Sequence, residues 1–395
     1  MKEVYIVSMA RTPIGNLSGV LAGFSATELG SKAIKGAVER AGIDAKLIQE
    51  VFMGNVIQAN VGQAPARQAA LGAGLSMNVP CTTVNKVCSS GMKAIVVAAQ
   101  SIMLGDNEIV VAGGMESMTN APHYIPTGRT GIKYGNGQLI DGIVRDALQD
   151  PYDKAMMGSC GEICAEGENI TRDEQDAYAF ESYVRARNAY ENGFLKGEII
   201  PIEIPQRKKA ALVIDKDEEL NNSRINSLED MKRLRSVFKK DGTVTAGNAS
   251  KINDGAAAVV LMSKEKMEEL GLTPLAKIVS YADAAQEPVW FTTTPSLAMP
   301  KALDKAGVKL EEVDAFEVNE AFSVVALANM KRLGLDHEKV NVFGGAVSIG
   351  HPVGVSGARI VMSLISVLKH KGGKYGLAGI CNGGGGASAM LIEVV

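Results

Sequence analysis

The sequence predicts a duplicated, layered α/β fold, and three observations carry that expectation. The two halves of the 395-residue chain repeat one another at a long period, each half alternates short Val/Ile-rich runs with helical patterns, and the helix after Cys88 is apolar on nearly every face. A repeat at fixed offset marks a duplicated unit. Strand and helix in alternation indicate a mostly parallel sheet covered by helices. A helix with no polar face belongs between two sheets rather than on the surface.

The elements follow in order. "MKEVYIVSMARTPIG" enters a strand at once, and Ser25 with Glu28 three residues on forms a capping box for a helix that stops at Ala41-Gly42. "AIKGAVERAGIDAKLIQEVFMGN" (33–55) pairs with "AMPKALDKAGVKLEEVDAFEVNE" (298–320), each a helix, an Ala-Gly stop and a strand ending in Asn55 or Asn319. "VNKVC" is a β-prone run that stops at Cys88, and "SSGMKAIVVAAQSIMLGD" (89–106) matches "VSGARIVMSLISVLKHKG" (355–372). The strands "EIVVAGGMES" (108–117) and "YGLAGICNGGGG" (375–386) complete the match. Ala37 aligns with Ala302, Asn55 with Asn319 and Gly91 with Gly357, so only small gaps separate the copies. Residues 119–240, charged and Tyr-containing, have no counterpart and are read as an inserted block. This gives three units: 1–118 with 241–272, the insertion 119–240, and 273–395. An insertion between the last strands of a sheet would lie as a lid beside a site at the strand ends.

Composition narrows the function. A net charge of -3 provides no general attraction to nucleic acid or an anionic membrane surface. Five cysteines and no N-terminal apolar segment argue for a reducing compartment, with the cytoplasm expected and a mature mitochondrial form left open. No stretch approaches the roughly 18 uninterrupted apolar residues of a membrane span.

Four segments can do chemistry. Cys88 begins a helix, where partial positive charge and free N–H groups are expected to lower a thiol pKa and bind an oxyanion. His351, between Gly350 and Pro352, precedes the equivalent helix of the second copy, and a pseudo-dyad would bring the two helix starts together. Cys381 ends a strand, and the glycines from Gly383 to Gly386 leave room for a flat thioester and expose backbone N–H donors. Asn319 of "NEAF" fixes a water, donates to an oxyanion, or caps a helix. A dinucleotide site fails because no GxGxxG follows the first strand. Cys160 and Cys164 share a helical face without a second ligand pair, so they read as core, and Cys81 has no partner.

With these segments in order, the sequence resembles the thiolase family, through "MARTPIG", "NKVCSSGMKA", "GGMESM", "GTVTAGNASKINDGAAA", "NEAF", "GHPVGVSGAR" and "CNGGGGASAM". The resemblance implies a five-layered αβαβα fold and a homotetramer built as a dimer of dimers, joined through "GRTGIKYGNG" (128–137). It implies reversible condensation of two acetyl-CoA to acetoacetyl-CoA and CoA, with a broader 3-ketoacyl-CoA thiolase as the alternative. By resemblance, Cys88 is the nucleophile, His351 activates it and Cys381 is the α-carbon acid/base. The backbone N–H groups of Cys88 and Gly383 form one oxyanion site, and His351 with a water on Asn319 forms the other. Related condensing enzymes lack the second cysteine, and a non-catalytic acyl-CoA carrier needs none of these reactive groups.

The resemblance also places coenzyme A against Leu148, Met157, Leu234, Phe238, Ala246, Ala249 and Ser250, with Ala321 and Phe322 at the pantetheine end. Met156-Met157-Gly158 stands where the family commonly has His-Met-Gly, and Ser223 stands at the position of an adenine-contacting Arg, with Arg224 shifted from it by about one place. Some members bind potassium, which here would use Tyr183, Ala246, Gly247, Ala249 and Val347.

Overall fold

The computed structural model describes residues 1–207 and 209–395. In the first half, strand β1 (Val4–Arg11) leads to helix α1 (Ala26–Ala41), β2 (Glu50–Gly54), α2 (Pro65–Gly72), β3 (Cys81–Val84), α3 (Ser90–Leu104) and β4 (Ile109–Ser117). The inserted segment carries α4 (Met157–Glu168) and α5 (Arg172–Glu191) before β5 (Asn253–Ser263) returns to the sheet. The second half runs β6 (Ala276–Ala285), α6 (Pro295–Ala306), β7 (Ala315–Val318), α7 (Ser323–Leu333), α8 (Ala346–Ile349), α9 (Ser356–Lys371), β8 (Tyr375–Asn382) and β9 (Gly386–Glu393).

Local chemistry fixes the boundaries that matter. Ser25 and Glu28 form the expected capping box, and Gly42 ends α1 in the left-handed conformation at φ 68°. Gly307 ends α6 in the same way at φ 65°. The strands join in the order β7-β8-β9-β6-β1-β5-β4-β2-β3, with Gly15–Asn16 pairing against β5 as a tenth, short strand. The two halves thus repeat one strand order outward from a β1/β6 seam, where Tyr5 pairs with Lys277 and Ile6 with Ala276.

Two expectations change here. The sheet is mixed rather than mostly parallel: β2 runs parallel to β3 and β4, and β7 to β8, while the other pairs are antiparallel. The tight turn between β8 and β9 admits only an antiparallel partner, since a parallel return needs a long crossover. The sheets of the two halves are also hydrogen-bonded into one through the seam, and this sheet folds around the central helices.

Alternation along β1 shows how the layers form. Val4 and Ile6 face the central cluster with α3 and α9, whereas Tyr5 and Val7 face α1 and α2. On the second half, Leu377 and Leu391 face α6 and α7 while Ala378 and Ile392 face the centre. The result is five layers: α1/α2, sheet, α3/α9, sheet, α6/α7. Val87–Leu104 is long and apolar enough to cross a membrane by length and composition alone, and it is this central helix. Its apolarity follows from packing between layers.

Glycine sets the crossing of α3 and α9. A Cβ on Gly91 would lie 2.8 Å from the Ala358 nitrogen, and one on Gly357 would lie 2.5 Å from the Met92 nitrogen. Because Gly91 and Gly357 are repeat equivalents, these reciprocal contacts mark a pseudo-two-fold axis between the helices. Both helix starts therefore converge on one region.

Candidate active site

β3 stops at Val84, four residues before Cys88, and the intervening residues make a tight turn rather than the strand expected there. Val87 takes φ 46°, a left-handed backbone that a β-branched residue rarely adopts. Hydrogen bonds hold it. The Lys86 N–H donates to Ser90 Oγ at 2.8 Å, the Ser90 hydroxyl to the Val87 carbonyl at 2.6 Å, and the Val87 N–H to Asn85 Oδ1 at 3.0 Å. The Lys86 ammonium reaches Asp283 at 2.5 Å and Ser388 at 2.7 Å on the other half. The Ser89 hydroxyl donates to Asn382 Oδ1 at 2.9 Å, so the turn bearing one thiol is fastened beside the strand end bearing Cys381.

Burial dominates the charge at Cys88. It pushes the thiol up to about 11, against the downward pull of hydrogen bonds from the Gly383 N–H and from the Cys88 amide itself. The expected lowering by a helix start is therefore outweighed. Cys381 is fully buried, and burial with the neighbouring Cys88 raises it well above the ordinary thiol value. Both thiols keep their protons at rest.

His351 supplies a free acceptor nitrogen. Its backbone N–H donates to Asn253 Oδ1 at 2.8 Å, and its Nδ1 meets Ser356 Oγ at 2.5 Å. The Ser356 hydroxyl donates onward to the Pro352 carbonyl at 3.2 Å, which assigns the ring proton to Nδ1 and leaves Nε2 as an acceptor. Nε2 is buried with no partner. Burial, with Arg359 close by, pulls the imidazole down to about 3. The imidazole is thus a neutral base with a free acceptor nitrogen.

Asn319 supplies the complementary group. Its Oδ1 accepts from Arg359 Nη2 at 3.3 Å, Arg359 pairs with Glu317 at 3.4 Å, and the buried Nδ2 has no partner. It is not a helix cap, since α7 is capped by Phe322. An unpaired buried donor costs free energy unless a ligand or water meets it. The next residue, Glu320, accepts from Tyr178 and Ser182 at 2.9 Å each and from the Val347 N–H at 3.0 Å, which locks the motif in place.

Duplication leaves a second version of this arrangement. By the repeat, Glu116 answers to Cys381, Asn55 to Asn319 and Gly354 to Cys88. The buried Glu116 carboxylate accepts from the N–H groups of Val56 at 2.9 Å, Ile57 at 3.2 Å and Gly354 at 3.0 Å, and from Asn55 Nδ2 at 2.8 Å. A carboxylate with four donors is a clamp between the halves, holding the turn that follows His351.

Two cavities share Met157 in their walls, one reaching His351 and the other Val87 and Gly383. One of about 460 Å³ is lined by Leu148, Met156, Met157, Phe238, Ala246, Ala249, Ser250, Phe322 and His351 among others. The second, about 690 Å³, is lined by Val87, Tyr152, Gly383 and Gly384, and Met157 lines both. Leu234 and Ala321 are placed behind the wall. Leu234 supports Gly247, where a Cβ would approach it to 2.5 Å, and the Ala321 carbonyl accepts from the Ser250 N–H at 3.0 Å. Ser223 and Arg224 are exposed and outside the lining. Cys160 and Cys164 are buried with Phe322 and Val325. Among the described residues no cluster of three His, Cys, Asp or Glu side chains suits a metal ion.

Comparison with known proteins gives the family. The thiolase N-terminal domain matches residues 4–265 and the thiolase C-terminal domain residues 272–394. The chain belongs to the thiolase family. "Acetyl-CoA acetyltransferase ERG10, cytosolic" of Gibberella zeae is 57% identical over 394 residues, covering 100% of this chain and 98% of its own. "Acetyl-CoA acetyltransferase A, mitochondrial" of Xenopus laevis is 52% identical, covering 100% and 92%. The crystal structure of the Bacillus anthracis acetyl-CoA acetyltransferase superposes with a TM-score of 0.97 at 42% identity, covering 100% of this chain and 99% of that one.

The potassium expected in some thiolases does not fit the residues present here. The Tyr183 hydroxyl is given to Glu219 Oε1 at 2.6 Å, and the Ala249 and Val347 carbonyls face the Lys251 ammonium at 2.9 and 3.5 Å. Two of the five oxygens that would hold an ion already face a cation, and a third belongs to a hydroxyl donated to a carboxylate. Met156 lines the cavity of about 460 Å³ at the position where the family resemblance implies a His, so this wall is apolar at that point. Sequence reasoning missed Lys251, Glu116, Ser356 and Arg359, which touch the reacting groups or their supports. Only Ser356, one turn beyond His351 at a helix start, carried a local signal.

Proposed function

We propose that this thiolase is an acetyl-CoA C-acetyltransferase, joining two acetyl-CoA into acetoacetyl-CoA and CoA by a ping-pong route and running equally in reverse. One observation carries the reading: the Cys88 sulfur lies beside the Gly383 N–H and the Cys381 thiol and packs with Val353, which lines the first cavity together with His351, whose Nε2 is buried and unpartnered.

His351 Nε2 takes the Cys88 proton as the sulfur attacks the acetyl carbonyl. The carbonyl oxygen gains negative charge against the Cys88 and Gly383 N–H groups, the C–S bond to CoA breaks, and the CoA sulfur leaves with the proton from His351. In the second half-reaction His351 Nε2 takes the Cys381 proton, and the resulting thiolate removes a proton from the α-carbon of another acetyl-CoA. The enolate oxygen is met by His351 and by Asn319, directly or through water. The α-carbon attacks the acetyl-Cys88 carbonyl, a C–C bond forms, the C–S bond to Cys88 breaks, and the Cys88 sulfur recovers the proton held by His351, while Cys381 keeps the proton from the α-carbon. Covalent capture divides one hard condensation into two steps.

The apolar wall of Leu148, Met157, Phe238 and Phe322 suits a long flexible thioester with few polar fixings. A homotetramer is supported by the edge strand β3, which offers unpaired backbone, and by the exposed Ile132 and Tyr134 in the 128–137 segment. The cytoplasm is supported by the name of the Gibberella relative, and the Xenopus name keeps a mitochondrial form in view. Turnover of acetoacetyl-CoA against a ten-carbon 3-ketoacyl-CoA and 2-methylacetoacetyl-CoA tests the substrate. Acetoacetyl-CoA should be preferred by at least tenfold over the ten-carbon thioester. Equal turnover of both would favour the broader 3-ketoacyl-CoA thiolase.

A further inference from the structure

We propose that Lys251 is a built-in monovalent cation: its ammonium replaces a free ion beneath the thioester cavity and makes this thiolase indifferent to potassium. The argument is geometric. Lys251 Nζ donates to the Ala249 carbonyl at 2.9 Å, faces the Val347 carbonyl at 3.5 Å and lies 5.8 Å from the centre of the Tyr183 ring. Two carbonyls and an aromatic face form the environment of a desolvated monovalent cation.

The surrounding charges require a cation there. Glu219 and Glu320 are 4% and 0% exposed, and both oppose the burial that pulls the Lys251 ammonium down to about 8. Glu219 is held by Tyr183 at 2.6 Å and by Asn222 at 2.7 Å, and Glu320 by Tyr178, Ser182 and Val347. Two buried carboxylates without a positive partner would carry a large desolvation cost. One ammonium on a tethered stem offsets it without the entropy of capturing an ion from solution.

The position gives the cation a role in binding. Ala249, Ser250 and Lys251 line the thioester cavity, and Ala249 and Ser250 connect to the "NEAF" segment through Phe322 and Ala321. Val347 is four residues before His351 and is fixed by Glu320. Lys251 therefore joins the floor of the cavity to the segment leading to the base. It is a positioning residue that acts on ligand affinity more than on the chemical step.

The test uses the full-length enzyme in potassium, sodium or choline chloride at equal ionic strength, measuring kcat, KM for CoA in thiolysis and the melting temperature. For the wild type all three should agree between salts to within about twofold in rate constants and about 1 °C. Lys251→Ala should raise the KM for CoA about tenfold or more in choline with a much smaller change in kcat. Potassium, but not sodium, should restore it and raise the variant's melting temperature. Potassium activation or stabilisation of the wild type overturns the proposal. So does a Lys251→Ala enzyme that matches the wild type in every salt, or one whose defect no cation relieves. If that variant does not fold, Lys251→Met is substituted, and the wild-type melting series still decides. The proposal rests on the first cavity being the thioester site. Failure of that reading would appear as no turnover of acetoacetyl-CoA in any salt.

Discussion

Asn319 offers the sharpest test of the site's electrostatics. Its Nδ2 is buried and unpartnered while its Oδ1 accepts from Arg359 at 3.3 Å, so the amide presents a preoriented donor that no protein group uses. Replacing Asn319 by Ala removes that donor. Loss of one oxyanion donor typically costs about 2.7–4 kcal/mol in the transition state, a fall of roughly 10²–10³ in kcat. The ground-state thioester makes little use of the donor, so KM should stay within about threefold. The fold loses only the Arg359 contact, worth about 1–3 kcal/mol if Arg359 is left unpaired, and Glu317 remains as its partner at 3.4 Å. Steady-state thiolysis of acetoacetyl-CoA, with thermal unfolding as a control, measures both effects. A kcat within threefold of the wild type, with KM raised instead, would refute the assignment of Asn319 to the transition state.

Further outcomes follow from the same geometry. Cys381→Ala should retain acetylation of Cys88 but abolish condensation, read as burst acetylation without acetoacetyl-CoA formation. Because His351 is depressed to about 3 by burial, below its unfolded value of 6.5, the unfolded chain binds the extra proton between those values. Its contribution to stability is whole above pH 6.5 and lost as pH falls toward 3. Urea unfolding from pH 7 to 4.5 should therefore show a wild-type slope steeper than that of His351→Asn by up to about 1.4 kcal/mol per pH unit. Gly91→Ala sets a Cβ 2.8 Å from backbone in the facing helix, where neither helix can yield. It should cost about 1–3 kcal/mol or more, seen as a lowered melting temperature. Glu116→Ala removes the acceptor of four N–H donors and should lower both the melting temperature and kcat, through displacement of the Gly354 turn.

Much of this was legible in the sequence because periodicity and repetition are local or self-referential signals. The Gly91 and Gly357 equivalence, read from letters alone, is the pair that crosses at the pseudo-dyad. His351 and Cys381 stood out because glycine-rich segments set each at an element's end, and Cys88 because a β-prone run stops there before an apolar helix. The mixed sheet was not, since alternating strands and helices do not reveal strand direction when a hairpin closes each half. The raised Cys88 thiol was missed because desolvation depends on what packs above the turn, and a helix-start argument counts only local dipoles. Lys251 was passed over for a similar reason. An isolated lysine in a loop reads as a solvated charge, and only folding brings Val347, Tyr183 and two buried carboxylates around it.

The central claim is that acyl transfer passes through Cys88 and that Cys381 acts only afterwards. Intact-protein mass measured after mixing enzyme with acetyl-CoA tests it directly. The account predicts an added acetyl group on the wild type and on Cys381→Ala, where it accumulates, and none on Cys88→Ala. An acetyl adduct on Cys88→Ala with turnover preserved, or its absence from Cys381→Ala, would contradict the account.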